Sequence, residues 1–116
     1  MIVAFDIDDT ITRCPEFFGL VARALRAEHH RVVIITFRED RAATEADLRA
    51  WNIPYDELIT SSLDEHLEHG VDEWKGVVCQ RLGVDVFFED DPNVLKHISP
   101  NVVVFQPKSN RERLND

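Results

Sequence analysis

Three acidic side chains stand together near the amino terminus, in the segment "FDIDDTIT" at residues 5–12. Asp6, Asp8 and Asp9 come at the end of the apolar run "MIVAF", which predicts a buried strand. Carboxylates this close to one another repel, so their position at a strand end is costly unless a cation neutralises them. The segment therefore indicates a site at which carboxylates share a metal ion.

Polar side chains follow two further apolar runs in the same manner. Thr36 and Arg38 come after "VVII", and Glu89, Asp90 and Asp91 come after "VFF". Because ligands of an open parallel sheet bind outside the carboxyl ends of its strands, we expect these side chains to meet at one edge. All the candidate ligands are oxygens, which favours a hard divalent cation, Mg²⁺.

A lysine gives an independent indication of an anion at this edge. Lys75 lies in the first turn of a helix predicted to begin near Asp72, where the helix dipole disfavours a cation. A metal, this lysine and a threonine hydroxyl would together make a phosphate site. The sequence contains neither GxxxxGK[ST] nor GxGxxG, so nucleotide binding by those glycine-rich loops is unsupported.

The elements that must position these side chains alternate along the chain. Short apolar runs without polar alternation predict strands buried on both faces, at 2–5, 32–35, 58–60, 86–88 and 102–105. Apolar residues at helical spacing predict helices that begin at Pro15, cover 41–51 and 72–82, and begin again at Pro92. This order predicts an α/β fold, a Rossmann-like doubly wound five-stranded parallel sheet with helices on both faces in three layers.

Composition narrows the class of protein further. The length of 116 residues fits one domain over 1–116, with a loosely held tail at 107–116. A formal charge of −9 gives no general attraction to nucleic acid or to an anionic membrane, so nucleic acid is expected only as a substrate. Cys14 and Cys79 do not make a disulfide framework or a zinc site. Without a signal peptide or a membrane-spanning run, a cytoplasmic protein is expected.

Four segments in this order resemble the motifs of a known family. "FDIDDT", Thr36 after "VVII", Lys75 before an amphipathic helix and "FFEDD" are similar to the four motifs of the haloacid dehalogenase superfamily, over roughly residues 1 to 105. The resemblance implies the sheet order 5-4-1-2-3, which places Asp6 beside Asp90. Many relatives have Gly at the positions of Asp9 and Glu89, so the chain departs from the family there.

The resemblance also implies roles in a phosphatase reaction. Asp6 would be the nucleophile that forms an aspartyl-phosphate, and Asp8 the general acid that protonates the leaving oxygen and then the base that activates water. Thr36 and Lys75 would hold the phosphoryl oxygens. An Asp two residues after the nucleophile is typical of the phosphatase and phosphomutase branches of the superfamily.

The metal ligands implied by the resemblance are Asp6, the backbone carbonyl of Asp8, and a carboxylate of the fourth motif. Asp90 is favoured over Asp91 as that carboxylate. Asp91 precedes Pro92, and Asp-Pro is also an ordinary helix N-cap followed by a first-turn proline. Both interpretations of Asp91 stay open at this point.

Other polar residues carry weaker predictions. Thr10 and Arg38 are candidates for steering the substrate, although an arginine beside two acidic residues is equally expected to be a solvated surface group. His66 and His69, in "DEHLEHG", have helical spacing that could suit a metal. A solvated acidic loop is the favoured interpretation of that segment.

The resemblance implies a phosphatase without a cap. Relatives usually carry a cap domain, but the segment 61–73 before Lys75 is long enough only for a loop. We therefore expect an open site that is covered by a second subunit or by a large phosphate ester, such as a macromolecular one. "ITFRE" and "WNIPYDELI" are similar to segments of polynucleotide kinase 3′-phosphatase domains and of small sugar-phosphate phosphatases.

Two alternatives belong to other functional classes. A response-regulator receiver also combines acidic residues, Thr, Lys and Mg²⁺ on a five-stranded sheet. It needs a phospho-acceptor Asp at the end of the third strand, where this chain has "ITSS". A phosphate-binding domain that keeps the fold without turnover is the other alternative.

Overall fold

The structure, a computed structural model, describes residues 1–108. The strands are β1 (Ile2–Phe5), β2 (Arg31–Ile35), β3 (Glu57–Ile59), β4 (Val86–Phe88) and β5 (Val103–Phe105). The helices are α1 (Pro15–Ala27), α2 (Arg41–Ala50), α3 (Leu63–His69), α4 (Val71–Leu82) and α5 (Pro92–Leu95), and a single 3₁₀ turn covers Ile11–Arg13.

The five strands form one parallel sheet in the order β3-β2-β1-β4-β5. This is the predicted order 5-4-1-2-3 counted from the opposite edge, so the predicted fold class is confirmed. In register, Phe5 of β1 is paired with Ile34 of β2 and with Phe88 of β4. The residues that follow β1 and β4 therefore lie next to each other at the carboxyl edge of the sheet. Residues 1–108 contain no separate cap domain over this edge.

The two faces of the central strands pack into two separate cores. Phe5 of β1 faces a cluster that contains Phe18 of α1 and Leu48 of α2. Ala4, the preceding residue, faces the opposite cluster, which contains Trp74 of α4. Because successive strand residues point to opposite faces, uninterrupted apolar runs are required for burial on both sides. This double burial holds the strand ends, and the polar residues after them, in fixed positions.

The segment 61–73, predicted as a loop, instead contains the helix α3, so that prediction was wrong. The Ser62 hydroxyl caps the helix by accepting a hydrogen bond from the backbone N–H of Glu65. Gly70, at φ 93°, ends it in a conformation that glycine adopts without cost. No residue of α3 is buried, and its two leucines, Leu63 and Leu67, are 73% and 78% exposed, so their helical spacing alone was too weak a signal to predict the helix.

The position of Lys75 in its helix also differs from the expectation. The helix α4 begins at Val71, within one residue of the predicted start near Asp72, but this start makes Lys75 the fifth residue of the helix and places it in the second turn. The macrodipole acts chiefly within the first turn, so it does not explain the anion requirement of this lysine. Burial explains it instead, because the Lys75 side chain is 1% exposed.

The predicted loose tail at 107–116 falls largely outside the described residues, which end at residue 108. Among residues 1–108, no helix combines the length and the apolar character that crossing a membrane would require.

Candidate active site

Asp6 is the first residue after the central strand, and its carboxylate is held from two sides. Its backbone N–H donates to the carbonyl of Phe88 at 3.0 Å, which continues the pairing of β1 with β4. Oδ1 accepts a hydrogen bond from Lys75 Nζ at 2.7 Å, and Oδ2 accepts one from the Thr10 hydroxyl at 2.9 Å. The side chain is thus fixed in a buried position at the carboxyl edge of the sheet.

Glu89 is the second carboxylate that contacts Lys75. Its Oε1 lies 2.7 Å from Lys75 Nζ, and both side chains are 1% exposed. Its Oε2 accepts the backbone N–H groups of Asp90 and Asp91, at 2.9 and 3.2 Å. The buried carboxylates of Asp6 and Glu89 therefore share the single ammonium group of Lys75. With both acids ionised, these three side chains carry a net negative charge.

Burial perturbs the acid–base behaviour of this group. Burial raises the pKa of Asp6 to about 6, although the Lys75 ammonium lowers it. Burial, reinforced by the hydrogen bond with Asp6, raises the pKa of Asp90 to about 6. Burial opposes the charge of Lys75, but Asp6 and Glu89 together raise its pKa above the usual value. The site holds an ionised lysine and two carboxyl groups that are reluctant to ionise together.

The acidic group offers a fitting set of donors for a hard cation. Carboxylate oxygens of Asp6, Glu89 and Asp90 all lie within 4.8 Å of one another. Glu89 already accepts three hydrogen bonds, whereas Asp90 is contacted by the Thr10 hydroxyl at 3.4 Å, which also bonds Asp6. Oxygen donors alone, with an excess of negative charge, suit Mg²⁺.

Asp91 makes the contacts of a helix cap. Its Oδ1 accepts the backbone N–H of Asn93 at 2.9 Å, and Pro92 occupies the first turn of α5. The Asp91 carboxylate still lines the same cavity as Asp6. One oxygen of Asp91 therefore has a structural role that the carboxylate of Asp90 lacks.

Asp8 points to an arginine rather than to the acidic group. Arg38 Nη2 lies 2.8 Å from Asp8 Oδ1, and Arg38 Nε lies 3.0 Å from Asp8 Oδ2. Arg38 Nη1 also contacts Asp47 Oδ2 at 2.8 Å, and its guanidinium lies over the Trp51 ring at 5.8 Å from the centroid. The hydrogen bonds from Arg38 hold the pKa of Asp8 below its usual value.

Thr36 lies at the end of β2 and is 1% exposed. Its backbone N–H donates to the carbonyl of Ile59 at 3.0 Å, and its hydroxyl oxygen accepts the N–H of Arg38 at 3.1 Å. Thr36 does not line the cavity over Asp6, and with its oxygen used as an acceptor only its hydroxyl hydrogen is left as a donor for a phosphoryl oxygen.

The departures from the family pattern have local explanations. Asp9 adopts φ 63°, in the left-handed region where glycine is at ease and Asp is among the more tolerated residues. Glu89 places a carboxylate against Lys75 where glycine would place none.

A cavity of about 250 Å³ opens over these side chains. Its lining is Asp6, Asp8, Asp9, Phe37, Lys75, Glu89, Asp90, Asp91 and Pro92. The fold thus brings together residues that follow β1, β2 and β4 with one residue each of α4 and α5, up to 86 positions apart in sequence.

The two predicted histidines do not join this group. His66 packs against Phe37 and Trp74, at ring-centroid distances of 5.7 and 4.8 Å, and contacts the Ser61 hydroxyl. His69 lies 3.7 Å from a carboxylate oxygen of Glu68. Among residues 1–108, the one group with metal-ligand spacing contains carboxylates alone.

Sequence reasoning did not assign a role to three residues that shape the site. Glu89 was noted as a departure but not as a partner of Lys75, although a carboxylate at the end of a buried strand signals a required counter-charge. For Phe37, only its position between Thr36 and Arg38 could have indicated that it lies at the site. Asp47, which holds Arg38, lies in the middle of a polar helix where no pattern distinguishes it.

Comparison with known proteins supports the fold. No family model matches the sequence, and no curated protein is similar to it. A chain in the Pnkp1/Rnl/Hen1 RNA repair complex has 18% identity and a TM-score of 0.66, over 91% of this chain and 42% of that chain. A second Pnkp1/Rnl/Hen1 complex gives 18% identity and a TM-score of 0.65, over 91% of this chain and 45% of that chain.

A Vibrio cholerae protein provisionally named as a 3-deoxy-D-manno-octulosonate 8-phosphate phosphatase is also similar. It has 17% identity and a TM-score of 0.50, over 84% of this chain and 62% of that chain. This chain therefore spans less than half the length of the two matched chains from the RNA repair complexes. At these identities the likeness establishes a shared fold.

Proposed function

We propose that this chain is a Mg²⁺-dependent phosphomonoesterase of the haloacid dehalogenase superfamily. The setting of Asp6 carries the proposal. Its buried carboxylate ends the central strand, with Lys75 Nζ 2.7 Å from one oxygen and Thr10 Oγ1 2.9 Å from the other. Asp90 lies alongside, within metal-ligand spacing. A fixed carboxylate between a lysine and a metal-competent acid suits a nucleophile that attacks phosphorus.

In the proposed reaction an oxygen of Asp6 forms a bond to phosphorus while the bond from phosphorus to the ester oxygen breaks. The leaving oxygen takes a proton from Asp8, and an aspartyl-phosphate remains. A water then attacks the phosphorus and gives a proton to Asp8, which restores Asp6 and releases inorganic phosphate. Because the pKa of Asp6 is about 6, the nucleophile is largely ionised at neutral pH.

The other site residues would hold the phosphoryl group. Asp6, Asp90 and the backbone carbonyl of Asp8 would bind Mg²⁺, which when bound offsets the repulsion between a carboxylate and a phosphate dianion. Lys75 uses two of its three ammonium hydrogens on Asp6 and Glu89, which leaves one for a phosphoryl oxygen. The Thr36 hydroxyl would supply another donor.

The test is a screen of phosphate esters with the whole chain. The panel spans nucleotides, sugar phosphates and 3′-phosphorylated oligonucleotides, each with Mg²⁺ or with EDTA, for wild type and Asp6→Asn. We expect Mg²⁺-dependent phosphate release by wild type alone. Equal release by a folded Asp6→Asn protein, or no release from any ester, would contradict the proposal.

A second part of the proposal concerns what covers the site. The side chain of Asp8 is 60% exposed, and within residues 1–108 the seven-residue helix α3 is the longest element between β3 and α4. Such an open site fits a substrate large enough to exclude water itself, such as a 3′-phosphorylated polynucleotide end, or a second copy of the chain.

Substrate size can be tested at fixed Mg²⁺ with a nucleoside 3′-monophosphate and a 3′-phosphorylated oligonucleotide, with light scattering to give the oligomeric state. We expect a higher kcat/KM for the oligonucleotide if the protein is a monomer. A monomer that prefers the small ester would contradict this part of the proposal and leave the phosphatase reaction standing.

A further inference from the structure

Phe37 occupies an unusual place for an aromatic residue. It stands between two residues of the candidate site, Thr36 and Arg38, and it lines the cavity over Asp6. Nearly all the rest of the lining is charged, and Pro92 is the other apolar residue there. Phe37 is half-buried against the core cluster that contains Trp74, and the part of its ring that is left uncovered faces the cavity.

The Phe37 ring lies close to the reacting carboxylate. Lys75 Nζ is 4.4 Å from the ring centroid and 2.7 Å from Asp6 Oδ1, so a single ammonium separates the ring from the nucleophile. Groups attached to a phosphorus atom at Asp6 would therefore be within reach of the ring. The charged residues of this cavity are suited to phosphoryl oxygens, and Phe37 is the one aromatic residue in its lining.

Neighbouring rings hold Phe37 in place. The ring is 5.7 Å from His66 at an interplanar angle of 84°, and 5.8 Å from Trp74 at 34°. His66 and Trp74 in turn lie 4.8 Å apart, and Trp74 is fully buried with its Nε1 donating to Glu65 at 3.2 Å. A ring fixed before the substrate arrives loses little conformational freedom on binding, which favours a role in recognition.

We infer that Phe37 makes the site selective for phosphate monoesters whose leaving group carries a planar ring, either close to the ester oxygen, as in aryl and benzyl phosphates, or beyond a sugar, as in nucleoside phosphates. The inference rests on the proposed phosphatase function. Planar rings pack on an aromatic side chain in offset or edge-to-face arrangements that add to the burial of apolar area. A leaving group with a saturated ring or an open chain gains free energy from the burial of apolar area but not from packing between rings.

A purely structural role for Phe37 predicts a different result. The ring shields the ammonium of Lys75, and any apolar side chain of similar size would also shield it. In Phe37→Leu the shielding is kept and the ring is lost, whereas Phe37→Tyr keeps the ring. A structural role would affect all substrates alike, so the ratio of two matched substrates separates the roles.

The substrates for this test are benzyl phosphate and cyclohexylmethyl phosphate, which are both esters of primary alcohols of similar size. Adenosine 5′-monophosphate and ribose 5-phosphate form a second pair, in which the base of the first takes the place of the anomeric hydroxyl of the second. For wild type and Phe37→Tyr we expect the ring-bearing ester of each pair to have the higher kcat/KM, by about fivefold. In Phe37→Leu we expect that ratio to fall to about one, chiefly through KM.

The matched control is Phe17→Leu, since Phe17 is a half-exposed phenylalanine on α1 that does not line the cavity. It should keep the wild-type ratio. A wild-type ratio near one, or a Phe37→Leu variant that slows both members of a pair equally, would overturn the inference while leaving the phosphatase function intact.

The absence of hydrolysis of every ester would count against the proposed function. In that case the role of Phe37 can still be tested with analogues that are not hydrolysed. Benzylphosphonate and cyclohexylmethylphosphonate are titrated into the Mg²⁺-loaded protein by calorimetry. We expect tighter binding of the benzyl compound to wild type, by about fivefold, and equal binding of the two to Phe37→Leu. Equal binding of the two to wild type would overturn the role of Phe37.

Discussion

The guanidinium of Arg38 donates to both carboxylate oxygens of Asp8, at 2.8 and 3.0 Å, while it also binds Asp47 at 2.8 Å. Such a two-pronged contact stabilises the ionised carboxylate, and it holds the pKa of Asp8 below its usual value. A general acid must carry a proton before it can give one. In the proposed reaction Arg38 therefore controls the pH at which Asp8 can protonate a leaving group.

Replacing Arg38 should shift the pH dependence of turnover. In Arg38→Gln the pKa of Asp8 rises, so the protonated acid persists to higher pH. For an alkyl phosphate we expect the loss of kcat/KM on the alkaline side to move to higher pH. The measurement is a pH–rate profile, with a nitrophenyl phosphate as the comparison because its leaving group needs no proton.

Asp47→Asn is the matched control for this shift, since it removes a partner of Arg38 and keeps the contact with Asp8. Its profile should stay near that of wild type. An Arg38→Gln profile that coincides with the wild-type profile would show that the pair does not set the acid's pKa in the working enzyme.

Asp6→Asn should abolish hydrolysis and keep the fold. Asn has the size of Asp and can still contact Lys75 and Thr10, but its amide cannot form an acyl-phosphate. We expect a loss of kcat of about a thousandfold or more, and no radioactive phosphate bound to protein after an acid quench. Asp9→Asn, on the same segment, should keep activity to within about tenfold, because Asn tolerates the left-handed backbone of this position. Labelled phosphoenzyme in the Asp6→Asn protein would point to a different nucleophile.

The sequence predicted the sheet and the position of Asp6 because both follow from strong local signals. Uninterrupted apolar runs mark β1, β2 and β4, and the polar residues after them are fixed by the strand ends. The helix α3 was missed because none of its residues is buried. An apolar pattern predicts a helix reliably only when it is long enough to form a core-facing stripe, and α3 has only two leucines, both exposed.

The contacts of Asp8 and Glu89 were out of reach for a further reason. Arg38 lies 30 residues from Asp8, and Lys75 lies 14 residues from Glu89. A charge pattern along the chain does not show which of several acids a given cation will select. That choice is made by the packing of α2 and α4 against the sheet.

Mg²⁺ should raise the melting temperature of the protein, because a cation offsets the repulsion among the clustered carboxylates. Beryllium fluoride, which mimics an acyl-phosphate, should raise it further when Mg²⁺ is present. Asp90→Asn should weaken both effects more than Asp91→Asn, in which Asn can still cap α5 by accepting the N–H of Asn93. Differential scanning fluorimetry measures these shifts, and a larger loss in Asp91→Asn would reverse the assignment of the ligand.

The raised pKa of Asp90 predicts a pH dependence for the metal-free protein. A carboxyl group whose pKa is about 6 in the folded state, against 3.8 as its usual value, stabilises the fold at low pH. That contribution is lost as the pH rises through about 6. In EDTA at about pH 7.5, Asp90→Asn should therefore be more stable than wild type by on the order of 1 kcal/mol, allowing for the partial exposure of Asp90.

At about pH 4 this difference should vanish, because Asp90 is then protonated in wild type. With saturating Mg²⁺ at about pH 7.5 the order should reverse, since wild type alone keeps the full ligand set. Urea unfolding under the three conditions measures the differences. If Asp90→Asn were less stable than wild type in EDTA at neutral pH, the ionised carboxylate of Asp90 would be stabilised by its surroundings, and the prediction would be wrong.

Removing the ammonium of Lys75 should destabilise the fold more than any other single change proposed for the site. Nζ lies 2.7 Å from both Asp6 Oδ1 and Glu89 Oε1, so Lys75→Met would leave two buried carboxylates facing each other without a counter-charge. We expect a loss of about 3–5 kcal/mol in the free energy of unfolding at about pH 8. The loss should shrink toward about pH 5, because Lys75 lowers the pKa of Asp6 and its removal lets Asp6 bind a proton more readily. The double variant Lys75→Met/Glu89→Gln removes one of the two charges, so it should be more stable than Lys75→Met alone in urea unfolding. If the double variant were equally unstable or worse, the cost would come from lost packing around the lysine stem rather than from the unpaired charges.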